Sequence, residues 1–154
     1  MQDEQEVKRN WEKLKLKEKG EKSSVLEGVP TSLPALVKAV RMQDKVRGVG
    51  FDWTDIKDVW NKVTEELAEF EAEVEVDDKN KMEAEFGDLL FSLVNYSRHL
   101  DINPEDALER TNKKFRKRFQ AMEQSIHADD KNLSDMNLSQ MDVYWEKVKR
   151  QLQE

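Results

Sequence analysis

Five glycines and three prolines are all that this 154-residue chain has to break a helix outright, and they fall at Gly20, Gly28, Pro30, Pro34, Gly48, Gly50, Gly87 and Pro104. A β-sandwich or barrel needs a turn about every ten residues, and turns draw on clusters of Gly, Pro, Asn and Asp that are scarce here. The stretches between the breakers are long, and 38% of the chain is charged against 37% hydrophobic. That is the composition of amphipathic helices, so the predicted class is all-α. The length corresponds to one domain able to bury a core.

Periodicity places the helices. The first is expected from Ser32 as N-cap, with Pro34 in its first turn, through Leu36, Val37 and Val40 until Gly48 and Gly50 stop it. The second, from about Asp55, sets Ile56, Val59, Trp60, Val63, Leu67, Phe70 and Val74 on one face and ends near Asp77 to Asn80. A third spans about Lys81 to Leu100. A fourth opens with Asn103 as cap and Pro104 at the first helical position, then carries Leu108, Thr111, Phe115, Phe119, Met122 and Ile126. Ser139 with Asp142 is read as a capping box for a last helix holding Met141, Trp145, Val148 and Leu152. Four core helices with short links and one more at the C-terminus predict a four-helix-bundle-like arrangement. Asn10-Trp11-Glu12-Lys13-Leu14-Lys15 also repeats as Tyr144-Trp145-Glu146-Lys147-Val148-Lys149. Residues 1–28 are accordingly read as a charged N-terminal segment, the tail of an upstream copy of the domain, and residues 29–154 as the domain itself.

Several function classes drop out. Without cysteine there is no disulfide or thiolate zinc site, and the polar stretch Met1 to Asn10 is no secretory signal, so the chain is expected in the cytoplasm. The longest apolar run, Leu89 to Val94, is too short to span a bilayer. A net charge of -7 argues against general nucleic-acid binding.

The informative residues are carboxylates that share faces with apolar side chains. Glu66 follows Val63 by three and precedes Phe70 by four, inside the apolar stripe of the second helix, with Glu69 on its flank and Glu65 beside it. Glu71, Glu73 and Glu75 fit a solvent-facing assignment better. On the third helix Phe86, Leu89, Leu90, Phe91, Leu93, Val94 and Tyr96 cover most of the circumference, which predicts burial on several sides. A narrow polar stripe remains, Glu85, Asp88, Ser92, Asn95 and His99, which taken alone reads as the thin solvent face of a core helix. Two helices aiming paired carboxylates from faces that want burial put like charges together unless cations sit among them. His99 and His127 do not stand in the Glu-x-x-His spacing of di-iron bundles. All-oxygen ligation therefore points to a hard cation, Mg²⁺ or Mn²⁺. Gly87, between Glu85 and Asp88, is expected to permit close approach of another helix.

At these residues the sequence resembles the MazG family of nucleoside triphosphate pyrophosphohydrolases. The family pattern E-E-x-x-E followed by E-x-x-D stands here as Glu65-Glu66-Leu67-Ala68-Glu69 and Glu85-Phe86-Gly87-Asp88. Flanking strings extend the resemblance: Val29-Pro30-Thr31-Ser32-Leu33-Pro34-Ala35-Leu36, Gly50-Phe51-Asp52-Trp53-Thr54, Asn95-Tyr96-Ser97-Arg98-His99-Leu100, and Asn112-Lys113-Lys114-Phe115-Arg116-Lys117-Arg118-Phe119. Together they look like the C-terminal half of a two-domain MazG. The resemblance implies an all-α fold that dimerises and hydrolysis of NTP or dNTP to NMP and pyrophosphate. By matched position it implies Mg²⁺ at Glu66, Glu69, Glu85 and Asp88, catalytic roles among Glu65, Glu66 and Glu69, and substrate contacts at Asn112, Lys114, Arg118, Trp145 and Lys149, with Trp53 near the nucleoside.

Two other readings compete: a non-catalytic helical dimerisation module, whose glutamates pair with Lys and Arg of the fourth helix, and a di-metal carboxylate bundle protein. A helix apolar on most sides also predicts a homodimer.

Overall fold

In a computed structural model, the structure describes residues 24–152, together with Val7, Asn10, Trp11, Leu14 and Lys17. The N-terminal half of the Trp-Glu-Lys repeat lies mostly outside these residues. Among them every regular element is helical: α1 (Ala35–Gly48), α2 (Ile56–Val76), α3 (Lys79–His99), α4 (Pro104–Ala128), a 3₁₀ turn (Leu133–Asp135) and α5 (Leu138–Gln151). The all-α expectation holds. No helix is long and apolar enough to cross a membrane. The chain divides into two compact units, Met1–Glu105 and Asp106–Glu154.

The first unit is built on an antiparallel hairpin of α2 and α3, with α1 packed against α3. Asp55 caps α2 by accepting from the Lys57 backbone N–H (2.8 Å), as its position before the apolar repeat predicts. The link to α3 is Asp77, in the left-handed region at φ 60°, and Asp78, whose carboxylate accepts from the N–H groups of Asn80 and Lys81. Two aromatic pairs fix the register of the hairpin, Trp60 with Tyr96 and Phe70 with Phe86, at centroid separations of 5.1 and 5.5 Å. Val59 and Val63 of α2 and Leu89 and Val94 of α3 are buried.

Two helix starts differ from expectation for identifiable reasons. Pro34, at φ -52° and ψ 143°, is itself the N-cap of α1, so Ser32 makes no cap. The ends of α2, α3 and α4 fall where the sequence puts them, and they use Asp77, Asp101 and Asp130 at positive φ, where Gly would be the usual choice. The capping box of α5 is Asn137 with Gln140, not Ser139 with Asp142: Asn137 accepts from Gln140 N–H (3.0 Å) while Gln140 Oε1 accepts from Asn137 N–H (2.9 Å). Gly87 is exposed, and a Cβ built there would touch nothing within 4 Å, so among the described residues no other helix approaches it closely.

The second unit packs α4 on α5 around Met122, Ile126, Tyr144 and Val148, with Phe119, Leu133, Met136 and Trp145 at the margin. Asn137→Ala removes the side-chain acceptor of the capping box, the bond from Gln140 N–H, and leaves the Asn137 backbone N–H to Gln140 Oε1. It is expected to lower the stability of this unit by about 1 kcal/mol, measured by urea denaturation followed by circular dichroism.

Candidate metal and nucleotide site

Hairpin register brings the carboxylates together. Glu66 lies one turn from Val63 and one from Phe70, on the α2 face turned toward α3, and is 6% exposed. Across the seam stand Glu85 and Asp88. One oxygen each from Glu66, Glu85 and Asp88 can lie within 4.8 Å of the others, and the same holds for Glu65, Glu66 and Glu69. Glu66 belongs to both triads. All of the carboxylates expected from the sequence thus gather at the hairpin, although Glu69 joins through α2 and not with Glu85 and Asp88 in one group.

A buried carboxylate needs a cation nearby. Lys62, one turn before Glu66, supplies one: its ammonium bridges Glu66 and Glu65, the latter at 2.9 Å. Hydrogen bonds to Glu66 first and to Glu65 second push the Lys62 pKa well above the ordinary lysine range. Glu65 and Glu66 are therefore paired within their own helix, which is not the pattern the dimerisation reading requires. Lys62 was missed by sequence reasoning, although a Lys four residues before a buried Glu was the available signal.

Glu85 carries the strain of the cluster. Partial desolvation, then the negative charges of Glu69, Asp88, Glu66 and Glu73, raise its pKa above the ordinary glutamate value. Glu73, expected on the solvent face, is half-buried toward α3. Its Oε2 is a buried atom with no hydrogen-bond partner among the described residues, and its nearest cation is Lys81 Nζ at 3.9 Å. Glu73 follows Phe70 by three residues and so continues the face that packs on α3. Glu71 and Glu75 are exposed as expected.

The polar stripe of α3 is not its solvent face. Ser92 and Asn95 are buried, while Phe86, Leu90, Phe91 and Leu93 stay partly exposed. Burial on several sides is thus not achieved within this chain. The far end of the stripe is tied to the loop before α2. Arg98 Nη2 donates to Asp52 Oδ1 (2.7 Å) and to Asn95 Oδ1 (2.7 Å), and His99 Nε2 lies 3.0 Å from Asp52 Oδ1. Burial would push the Asp52 carboxyl up, but the bonds and charges of Arg98 and His99 hold it below its ordinary value. The network anchors the backbone next to Trp53, whose ring is partly exposed and whose N–H donates to Asp52 Oδ1 (3.0 Å).

The remaining candidates lie in the second unit. Asn112 and Lys114 are exposed on α4. Arg118 is half-buried, and its Nε finds no hydrogen-bond acceptor among the described residues. Trp145 packs at the margin of the core against Phe115 (5.4 Å between centroids), and Lys149 pairs with Glu146 (2.8 Å). A surface concavity of about 560 Å³ lies between the 129–136 loop and α5. None of the candidates lines it, and two of its charged groups are bonded within it: Tyr144 O–H donates to Asp129 (2.6 Å) and Lys131 donates to Tyr144 (3.2 Å).

Above its folded-state pKa, Glu85 is charged against its neighbours, a penalty absent from the unfolded chain. The penalty fades as pH falls through that raised pKa toward the ordinary 4.5. Glu85→Gln is therefore expected to raise the melting temperature of chelator-treated protein at pH 7. The gain over wild type should shrink as the pH is lowered through that window, as read by differential scanning calorimetry.

Residues 55–122 match the MazG nucleotide pyrophosphohydrolase domain. The chain is 42% identical over 150 residues to the nucleoside triphosphate pyrophosphohydrolase of Escherichia coli, covering 95% of this chain and 57% of that protein. To the nucleoside triphosphate pyrophosphohydrolase/pyrophosphatase MazG of Thermotoga maritima it is 44% identical over 142 residues, 92% of this chain and 54% of the relative. To the uncharacterized protein YabN of Bacillus subtilis it is 48% identical over 151 residues, 97% of this chain and 31% of the relative. The chain thus spans little more than half the length of the first two relatives, and less of the third. Both carboxylate motifs, set on the two helices of one hairpin, lie inside the segment that matches the MazG nucleotide pyrophosphohydrolase domain.

Proposed function

We propose that the chain hydrolyses nucleoside triphosphates to the monophosphate and pyrophosphate, with Mg²⁺ or Mn²⁺ held by Glu66, Glu85 and Asp88 and by Glu69 on the adjoining triad. The observation that carries this reading is the convergence of Glu66 with Glu85 and Asp88 across the α2–α3 seam. The donor set fits a hard divalent cation, because every group is a carboxylate, and after desolvation it is the neighbouring negative charges, which a cation would offset, that raise the pKa of Glu85. Such an ion, when bound, polarises phosphoryl oxygens and offsets charge on the departing pyrophosphate.

The chain's own residues supply the rest. Glu65 and Glu69 are exposed beside the buried Glu66, placed to orient water and accept its proton as the phosphoanhydride between the α- and β-phosphates breaks. Lys62 bridges Glu66 and Glu65 and sets a positive charge beside the buried carboxylate. Asn112, Lys114, Arg118, Trp145 and Lys149 are assigned to substrate on the family match, with the unpaired Nε of Arg118 in keeping with a phosphate contact. Trp53 is assigned to the nucleoside. The same reading takes residues 29–154 as one MazG-like domain, residues 1–28 as a charged segment preceding it, and the cytoplasm as its location.

Self-association belongs to the proposal. Trp60, Leu67 and Val74 recur every seven residues on α2, and Phe86, Leu90 and Leu93 stand on α3, all between 40% and 48% exposed. An apolar surface of this kind on a hairpin is what a second copy covers. Sedimentation at micromolar concentration is expected to give a dimer, and Leu67→Glu a monomer.

The activity is tested by incubating ATP with the chain and Mg²⁺. Nucleoside monophosphate and pyrophosphate are expected as first products, lost on chelation and reduced at least hundredfold in Asp88→Asn or Glu69→Gln with the helical spectrum intact. Nucleoside diphosphate with orthophosphate would overturn the reading. Mg²⁺ at a hundredfold excess over its Kd should stabilise the wild type by about 2.7 kcal/mol. NaCl of equal ionic strength should do much less, whereas a dimerisation module without a metal site would respond alike to both salts.

A further inference from the structure

One polar side chain of the first unit is used by the fold at one end only and stands outside the carboxylate cluster. Gln43 of α1 is 4% exposed and packs on α3, where its Nε2 donates to the Phe91 carbonyl at 2.9 Å. The carbonyl contact fixes the amide: Nε2 faces Phe91, so the other end is Oε1. That oxygen is buried and meets no donor among the described residues. An amide oxygen withdrawn from water without a donor is destabilising, and Met or Leu would fill the same space without that cost. Groups of this kind persist where a ligand completes them.

Position says which part of a ligand that is. Phe91 follows Asp88 by three residues, about 4.5 Å along the helix axis. Ser92 and Asn95 are buried on the same stripe of α3 as Glu85 and Asp88. A nucleotide with its phosphates at Glu66, Glu85 and Asp88 places its sugar one such step away and its base beyond reach of that step. Resting on the pyrophosphohydrolase reading above, we propose that Gln43 Oε1 accepts a hydrogen bond from a sugar hydroxyl of the nucleotide and so sets which sugars the site takes.

The test compares ATP, 2′-deoxy-ATP and 3′-deoxy-ATP on wild type, Gln43→Met and Gln43→Leu, by kcat/KM with Mg²⁺. Binding of the α,β-methylene analogues of the same three nucleotides is followed by tryptophan fluorescence. Wild type is expected to lose about tenfold on one of the two deoxy compounds, and the two analogues tell the 2′- from the 3′-hydroxyl. Gln43→Met should lose about tenfold on ATP, lose nothing further on that deoxy compound, and melt no lower than wild type. The proposal is overturned if wild type treats all three nucleotides alike, if Gln43→Met retains the wild-type preference, or if both variants melt well below wild type. Failure of the function reading looks different. A chain that binds the analogues without releasing pyrophosphate overturns only the activity, and the ratio of Kd values still decides Gln43. A chain that neither binds nor hydrolyses overturns both.

Discussion

A carboxylate enclosed in the seam between two helices has to be balanced by positive charge, and Glu66 is the point at which this chain meets that requirement. Its neighbours across the seam, Glu85 and Asp88, add to the negative charge, and Lys62 is the cation that the described residues bring to it. The aromatic pairs on either side, Trp60 with Tyr96 and Phe70 with Phe86, hold the register in which this repulsion is unavoidable. Folding the hairpin and assembling the anionic cluster are therefore one event, and the raised pKa of Glu85 is the visible cost.

Packing and chemistry divide the faces of α3 between them. Its apolar side chains Phe86, Leu90 and Leu93 remain partly exposed, while Ser92 and Asn95 are taken inward. This reverses the ordinary preference for burial, and it costs free energy unless the inward polar groups are used. Asn95 is used by Arg98, which in turn grips Asp52 and holds the loop that carries Trp53. Gln43 stands between these two regions, bonded at one end only.

Much of this was legible from residue spacing, and the part that was not has a common cause. A three- and four-residue period tells which side chains share a face, so Glu66 inside the apolar stripe and Glu85 with Asp88 on one line could be read directly. Periodicity does not tell which face meets another helix. Glu73 was put in solvent and Ser92 and Asn95 on a thin exposed strip for that reason, and Gln43 drew no notice because one glutamine in a short helix has no partner until α3 is placed beside it. The turns after α2, α3 and α4 fall where the polar stretches put them, although Asp77, Asp101 and Asp130 take a backbone conformation usually sought in glycine. Local ion pairing at Lys62 was available at four-residue spacing and was simply outweighed by the more numerous glutamates.

The link made by Asp77 and Asp78 has a kinetic consequence. Closing so short a loop costs little chain entropy, and the contacts between α2 and α3 all lie within one hairpin. The anionic cluster thus assembles when the hairpin zips, without waiting for α1, α4 or α5. If these carboxylates hold a divalent ion as proposed, an ion present while the chain is being synthesised would meet them before the rest of the protein has taken shape, and metal capture would be a step in folding instead of an addition to a finished fold.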